Sequence, residues 1–549
     1  MIPSFSDLQG ADLRWLLVLT IRGEHYRFST TAIDVSSDEG SLRFRAGLSP
    51  LEFVESAAPP GGTVSDPAAR VEVRFSGTSS EGWAALSEGS DLGDISAELS
   101  LLIVGRTFES RRVILDGLIA SAEGGAQHEP VTLGLTGAPW RRQPKALPRN
   151  TYRVTEATWD HGVSGYEIGE GVSKQLYPEI VGAPGYRNPN TGGTFPAVPA
   201  LLAKIHASTK NNNTNSATVI VGAGRLKAAG VASVKIFNAT QEDTSAALTP
   251  TVTLDDLGQP VTVVAVGHSD LAIASGDELW LHFTTPGNGG RFDTAGNALR
   301  SVDEVIRWLL ESSGARADYE RIKTDLRWLR GLNLDLYLNE SVDPLAYCLD
   351  QIVPLFPISV KIGPSGVEFR RWPFDATSDD AVMAIDIDRV TGERLSTVNR
   401  SDPGEVVNLL TVRFARNGAT DSFQGEFTFA PSARVDQTDR EVHPYATASA
   451  NRYGEREGAA IESDAITDRA TAAYVGGWQI RYYSQTREAV RYALPQEFQA
   501  LQTGDVVTIT DAAIGWQDRV CVVSAVTLRE GPTEILFETI PDWIRDTLS

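Results

Sequence analysis

The chain switches again and again between short runs of alternating apolar and polar residues and clusters of turn-forming residues. That rhythm restricts it to folds made of many short strands. Val71, Val73 and Phe75 alternate with Glu72 and Arg74, the period-two pattern of a strand with one face buried. Trp15 to Arg22, Leu101 to Val104, Arg112 to Ile119 and Val131 to Leu135 are further runs rich in β-formers. Pro59-Pro60-Gly61-Gly62 and Glu123-Gly124-Gly125 punctuate them. Strands at this spacing predict barrels or sandwiches and not a βαβ sheet.

Two polar stretches, Lys210 to Ser216 and Thr285 to Gly290, read as flexible flanks of a small inserted module. Its strands are expected at Ala217 to Val221, Val231 to Phe237, Val261 to Val266 and Glu278 to Thr284. Helices follow. Ser301-Val302-Asp303-Glu304 is a capping-box sequence, and Val302, Val305, Ile306, Leu309 and Leu310 recur at helical spacing up to Gly314. Asp343 and Pro344 open a second helix over Leu345, Cys348, Leu349 and Ile352, which Pro354 stops. A hairpin turns at Gly363-Pro364-Ser365-Gly366. Val406 to Phe414 predicts a strand and Asp464 to about Tyr482 a helix. Strands are then expected at Arg487 to Tyr492, Asp505 to Thr510, Arg519 to Thr527 and Glu534 to Phe537.

The fold class expected is therefore mainly β with a few helices, β-rich α+β, in several domains. At 549 residues, three or four domains are the expectation. The boundaries predicted are 1–200 for an N-terminal β-rich domain, 201–295 for the inserted β-domain, 296–400 for an α/β domain and 401–549 for a barrel-like domain with one helix.

Convergent chemistry is hard to find. Cys348 and Cys521 are the only cysteines and read as small buried hydrophobes, too few for a four-ligand metal cage. The seven histidines, His25, His128, His161, His206, His268, His282 and His443, are scattered without an HExxH spacing. Gly222-Ala223-Gly224 follows a strand, but Lys227 stands where a dinucleotide loop needs its third glycine, so it reads as a turn. Asp386 and Asp388 flank Ile387 and could share a strand face as an acid/base pair, although the solvated side of a strand is the plainer reading. Asp335, between Leu334 and Leu336, has the same plain reading. No catalytic residue, cofactor or metal is expected. Asp plus Glu exceed Lys plus Arg by 71 − 49 = 22, which disfavours a surface built to grip nucleic acid. The longest purely apolar run, Trp15 to Leu19, is far below a membrane span, and the start of the chain lacks the pattern of a signal peptide.

The C-terminal block carries a resemblance. Ser449-Ala450-Asn451-Arg452-Tyr453-Gly454-Glu455-Arg456 precedes the Ala-rich helix. Leu501-Gln502-Thr503-Gly504-Asp505-Val506-Val507-Thr508-Ile509 follows it, and Arg519-Val520-Cys521-Val522-Val523-Ser524 closes the series. In this order the segments resemble the hub, or minor tail, proteins at the tail tip or baseplate of long-tailed bacteriophages and gene-transfer-agent-like particles, where the Tyr-Gly-x-Arg-Glu-like stretch is a strand. Asn408 within Glu405-Val406-Val407-Asn408-Leu409-Leu410-Thr411-Val412 is similar to another strand of that family. Tyr177-Pro178-Glu179-Ile180-Val181-Gly182, with Pro196-Ala197-Val198-Pro199-Ala200, is similar to a further segment.

The resemblance implies tube-related barrels, a homotrimer in the virion, and contacts to a distal tail protein ring, a tape-measure protein and a central fibre or receptor-binding component. DNA would be present only in transit, with no stable membrane insertion. Tyr453, Gly454, Glu455, Gly504, Asp505 and Asn408 would be structural, with Tyr453-Gly454 a bulge or bend and Gly504-Asp505 a tight turn. Two alternatives stand beside this reading. One is an extracellular carbohydrate-binding or glycoside-acting β-protein using Asp386 and Asp388 or exposed Trp280 and Trp372. The other is the hub of a contractile injection apparatus.

Overall fold

The computed structural model describes residues 11–541, apart from most of 57–67, 76–94, 138–173 and 268–276, all of 125–129, 187–196, 207–215, 239–246 and 434–439, and positions 286, 365, 391 and 530. The expected turn at Pro59–Gly62 and the flank Lys210–Ser216 fall almost wholly outside the described residues, as do His128, His161 and His268.

The chain is mainly β, in several sheets with a few helices. The first hairpin forms where its residues dictate. Leu13–Ile21 turns through Arg22 and Gly23, both at positive φ (53° and 87°), into Glu24–Ser29. A two-residue turn of this hand matches the twist of the strands it joins. Trp15, Leu17, Leu19 and Ile21 face the main core, while Leu16 faces a smaller cluster with Val35, Phe44 and Leu102. Burial on both sides explains why this strand reads as an apolar run.

These strands belong to one 16-stranded sheet that draws on both ends of the chain. Leu48–Ser56 pairs on one side with Ala68–Val73 and on the other with Trp516–Leu528, in the register Ser56 to Ala525 through Phe53 to Leu528. Glu488–Leu494 and Thr533–Thr539 extend the C-terminal part, and Val506–Asp511 joins the first half of Trp516–Leu528. One apolar core runs beneath this seam, holding Leu17, Val71, Leu99 and Leu133 together with Val490, Ile509, Val523 and Phe537.

A second sheet forms the inserted module. Val198–His206 pairs with Leu279–Phe283 through its first residues and with Ser216–Ala223 through its later ones. Its core also takes in Val154, Trp159 and Tyr177. The cores thus cut across the boundaries expected at 200, 295 and 400: the module begins upstream of 201, and residues 488–540 share a core with the N-terminal strands. The Thr285–Gly290 flank is not slack either. Gly290 N donates to Gly182 O at 2.6 Å and Arg291 N to Ile180 O at 2.8 Å. A Cβ on Gly290 would lie 2.0 Å from Ile180 O, so only glycine fits that approach.

The third core is helical. Helix α1 (Val302–Ser313) starts with Glu304 accepting from Ser301 N at 3.3 Å and stops at Gly314, φ 71°. Helix α2 is Tyr319–Asp325. Helix α3 (Pro344–Tyr347) is capped by Asp343, which accepts from Leu345 N at 2.9 Å. The longer helix expected over Leu345 to Ile352 instead widens to a π turn at Cys348–Ile352 and tightens to a 3-10 turn at Val353–Leu355. Pro354 has no N–H to continue the α-helical ladder. Helix α4 (Pro444–Tyr453) and helix α5 (Arg469–Tyr483, capped by Asp468) pack with the sheet of Leu410–Asn417 and Ser422–Ala430. The strand expected from Val406 begins only at Leu410, because the backbone N–H groups ahead of it donate elsewhere: Val406 to Pro403 O, Val407 to Tyr483 O at the end of α5, and Asn408 and Leu409 to Arg456 O.

One buried pair ties these bodies together. Asp335 is fully buried and takes the Arg300 guanidinium on both oxygens, at 2.7 and 2.9 Å. It also accepts from Ala183 N at 2.7 Å and from the Thr467 hydroxyl. One carboxylate therefore joins the end of the Glu179–Val181 strand, the approach to α1 and the approach to α5. The solvated-face reading of Asp335 is corrected: alternation with Leu334 and Leu336 does not expose it, because all three side chains are buried.

Two expectations follow from this packing. Gly476 and Gly477 are neighbours on α5, but a Cβ at 476 would lie 2.5 Å from the Phe429 ring, and one at 477 no nearer than 3.7 Å. Gly476→Ala should destabilise by about 1–3 kcal/mol through overpacking, and Gly477→Ala should stabilise by roughly 0.5–1 kcal/mol through helix propensity. Chemical denaturation of the two variants checks the opposite signs. Asp335→Ala leaves Arg300 buried without its partner and should cost about 3–5 kcal/mol. Adding Arg300→Met should cost less than the two single losses summed, and strictly additive losses would sink the reading of a coupled pair.

Candidate functional site

Asn408 is the centre of the C-terminal motif. It is fully buried, and its amide is used at both ends. Nδ2 donates to the Ser449 hydroxyl at 3.1 Å and to Gly454 O at 2.8 Å, while Oδ1 accepts from Arg456 N at 2.7 Å. The Asn408 backbone N adds a bond to Arg456 O at 2.9 Å. Buried amides need this satisfaction, and here it holds the Tyr453–Arg456 loop in one conformation. Tyr453 reaches Thr486 with its hydroxyl at 3.3 Å, and Glu455 lies 3.8 Å from Arg440.

The structure corrects the form expected for this segment. Ser449 to Tyr453 is the last part of α4 and not a strand, and Gly454, φ 77°, ends that helix where a bulge was expected. Pro444 in the first turn and the alanines at 446, 448 and 450 favour helix. Asn408 precedes the Leu410–Asn417 strand and does not lie in it.

Gly504 and Asp505 make their contacts elsewhere. Gly504 has φ 90° and donates its N–H to Val523 O at 2.7 Å. Asp505 closes the turn by accepting from Gln502 N at 2.8 Å, immediately before Val506–Asp511. Arg370, from the Gly366–Arg371 strand, donates to the Gln502 side chain at 2.6 Å and so ties the turn to the helical core.

The residues proposed for glycoside chemistry are not arranged for it. Asp386 ends the Met383–Asp386 strand and caps the next turn, accepting from Asp388 N at 3.2 Å and pairing with Arg389 at 3.0 Å. The two carboxylates therefore do not alternate along one strand. Trp372 is buried, with 1% of its surface exposed. Trp280 is half-buried against Gly418, on the wall of a cleft of about 470 Å³ between the module and the helical core. Two acids of that cleft are engaged: Asp421 and Asp464 both bind Arg416, at 2.5 and 2.8 Å.

Elsewhere the titratable groups serve packing. Burial pushes the Cys348 thiol well above its ordinary range, the condition of an unreactive structural cysteine. Burial, then Arg481, holds His443 below the ordinary imidazole range where it packs between Phe429 and Tyr445. Among the described residues no group of three His, Cys, Asp or Glu is placed to hold a metal. No helix there is long and apolar enough to cross a membrane. Sequence reasoning missed two buried ion pairs, Asp335–Arg300 and Glu179–Arg291, the latter at 2.7 Å. In each pair the partner lies far along the chain, and no local pattern signals it.

Comparisons with known proteins point to the same C-terminal block. Residues 430–524 match a family described as "Putative phage tail protein". That span includes α4, α5 and the Gly504-Asp505 turn, the segments that carry the motifs. No curated protein matches the chain. Among solved structures the chain is similar to the 43 kDa tail protein of prophage MuSo2 from Shewanella oneidensis, at 8% identity over 96% of this chain and 99% of that one, with a TM-score of 0.37. It is similar to a tail protein from Neisseria meningitidis MC58, at 9% identity over 97% and 98%, with a TM-score of 0.35. A chain in the virion of a native gene transfer agent particle aligns at 12% identity over 74% and 89%, with a TM-score of 0.42. The resemblance to phage tail proteins thus has a family match on the segments between Ser449 and Ser524, while the Asn408 and Tyr177–Ala200 segments lie outside that span.

Proposed function

We propose that this chain is the structural hub of a phage tail tip or baseplate and acts as a homotrimer without catalysis. The observation that carries the reading is the seam between Leu48–Ser56 and Trp516–Leu528. Through it one chain presents two sheet units joined edge to edge, ending at Ile33–Ser37 on one side and Glu393–Arg394 on the other. A wall of strands with open ends must be covered or continued, and head-to-tail contact between copies continues it into a closed ring. Three copies with two units each provide six wall segments, the number a hexameric tail tube requires. The ring would meet a distal tail protein ring and the tape-measure protein on the tube side and a central fibre or receptor-binding component on the other. The family match at 430–524 supports the setting in the virion tail.

DNA would cross such a ring only in transit. A wall free of excess cations releases it, since retention needs Lys and Arg to displace counterions. The net charge of −22 suits that passage.

Native mass spectrometry of the full chain at increasing concentration should show a species of three chain masses. A dimer in the assembled particle rejects the ring. Duplex DNA should pass the assembled protein without retention at low salt, and tight binding that weakens steeply with salt would reject the transit role.

A further inference from the structure

We propose that an aromatic and arginine surface centred on Arg371 and Arg481 joins one copy of this chain to the next, by docking on the acidic hairpin end of the second copy. This rests on the ring reading above and names the contact that would close it.

The surface is built from four elements. Trp328 comes from the turn Arg327–Leu329, Arg371 ends the Gly366–Arg371 strand with Phe374 just beyond it, Tyr445 lies in the first turn of α4, and Arg481 in the last turn of α5. The guanidinium of Arg371 lies 5.7 Å from the Trp328 ring and 5.9 Å from the Phe374 ring. That of Arg481 lies 5.6 Å from Phe374 and 5.3 Å from Tyr445. The side chains form an unbroken row, and all three aromatics are only half-buried. The arginines remain 47% and 30% exposed.

This is the residue composition of an interface centre, where Trp, Tyr, Phe and Arg are enriched. Covering the row would strengthen it, because cation–π attraction grows as water is removed. Its charge selects the partner. Asp375 accepts from Arg371 on both oxygens, at 2.8 and 2.9 Å, and lies 3.8 Å from Arg481. One carboxylate thus serves two guanidiniums, and the row stays positive on a chain whose net charge is −22. A guanidinium recognises further carboxylates.

A second copy offers them at the far end of its sheet wall. Asp38 and Glu39 form the tip between Ile33–Ser37 and Gly40–Ala46, the outermost strands of the 16-stranded sheet. They border a groove of about 520 Å³ that also holds Glu98, Phe108, Glu109 and Asp116. Its bases are His25, Arg27 and Arg111, and Arg111 is committed to Glu98 at 2.6 and 2.9 Å. Arg316 engages Asp116 at 2.9 Å. Glu109 accepts from Asp38 N at 3.1 Å, and hydrogen bonds from the backbone at Glu109 and Asp38 hold its carboxyl below the ordinary range, so it stays ionised. Asp38, Glu39 and Glu109 therefore form an acidic rim beside the half-buried Phe108, whose ring Arg111 already covers at 3.7 Å, and that rim is complementary in charge to the row of arginines. The two surfaces differ, so the contact is head-to-tail, the kind that propagates into a ring.

The test is association of the full chain, read by native mass spectrometry and light scattering over a concentration series. Arg371→Glu with Arg481→Glu should raise the concentration of half-assembly at least tenfold. Asp38→Lys with Glu39→Lys, on an exposed tip that supports no core, should do the same. Combining all four changes should restore assembly toward the wild-type value, because each contact then carries swapped charges. Unchanged assembly in both double variants, or no recovery in the combination, overturns this contact while the trimer itself stands. A wild-type chain that stays monomeric throughout overturns the ring reading and this contact with it. Retention of single-stranded DNA by the wild type that Arg371→Glu abolishes would assign the row to nucleic acid and overturn the proposal.

Discussion

The buried Asp335–Arg300 pair is the constraint on which the architecture turns. An ionised carboxylate inside a protein must be matched by charge and hydrogen bonds, or it costs several kcal/mol. Asp335 meets that demand only when Ala183, Arg300 and Thr467 arrive together. Gly182, at φ 70°, is part of the same requirement, since a Cβ there would lie 2.2 Å from Asp335 Oδ1. Three segments far apart in the chain thus have one acceptable arrangement. A nonpolar contact of similar area would permit several, because apolar packing has little directionality.

The second constraint is covalent order against spatial order. The large sheet is made continuous only when strands from the two ends of the chain meet along Leu48–Ser56 and Trp516–Leu528. The module and the helical core, which lie between them in the chain, are in effect excursions from one wall. Contacts so distant in sequence make folding slow, but they yield a wall whose two halves cannot separate without breaking a shared core. On the proposed reading as a ring that DNA crosses, such rigidity is what the chain must supply. The node around Asn408 fits this view: every polar atom of its amide is used to fix a loop, and none is turned toward a reactant.

What could be read in the sequence was local. Ser301 with Glu304, then apolar residues at helical spacing, then Gly314 mark α1 within a dozen positions, because capping and the left-handed stop act within one turn of the chain. The alternation around Val71 and the Gly504-Asp505 turn are visible for the same reason. The fold class followed from these signals, and the resemblance to tail proteins followed from the order of motifs in the last third. Local signals also misled where two conformations share them. Tyr453-Gly454 can bend a strand or end a helix, and the choice fell to Pro444 and the alanines behind it.

Tertiary structure decided what depends on a distant partner. Asp335 sits between two leucines in sequence like any strand acid on a wet face, yet it is buried, because Arg300 and Thr467 are brought to it by other elements. Trp372 has no neighbour in sequence that reveals its burial, and the seam has no local signature. Sequence by itself determined the strand-rich class, the ends of α1 and the excess of acid, since each is a property of adjacent residues or of composition. The continuity of the sheet, the charged node and the surfaces left open depend on pairings between distant residues. Only the folded chain sets these, because a buried charge or an unpaired edge has no meaning until its surroundings are in place.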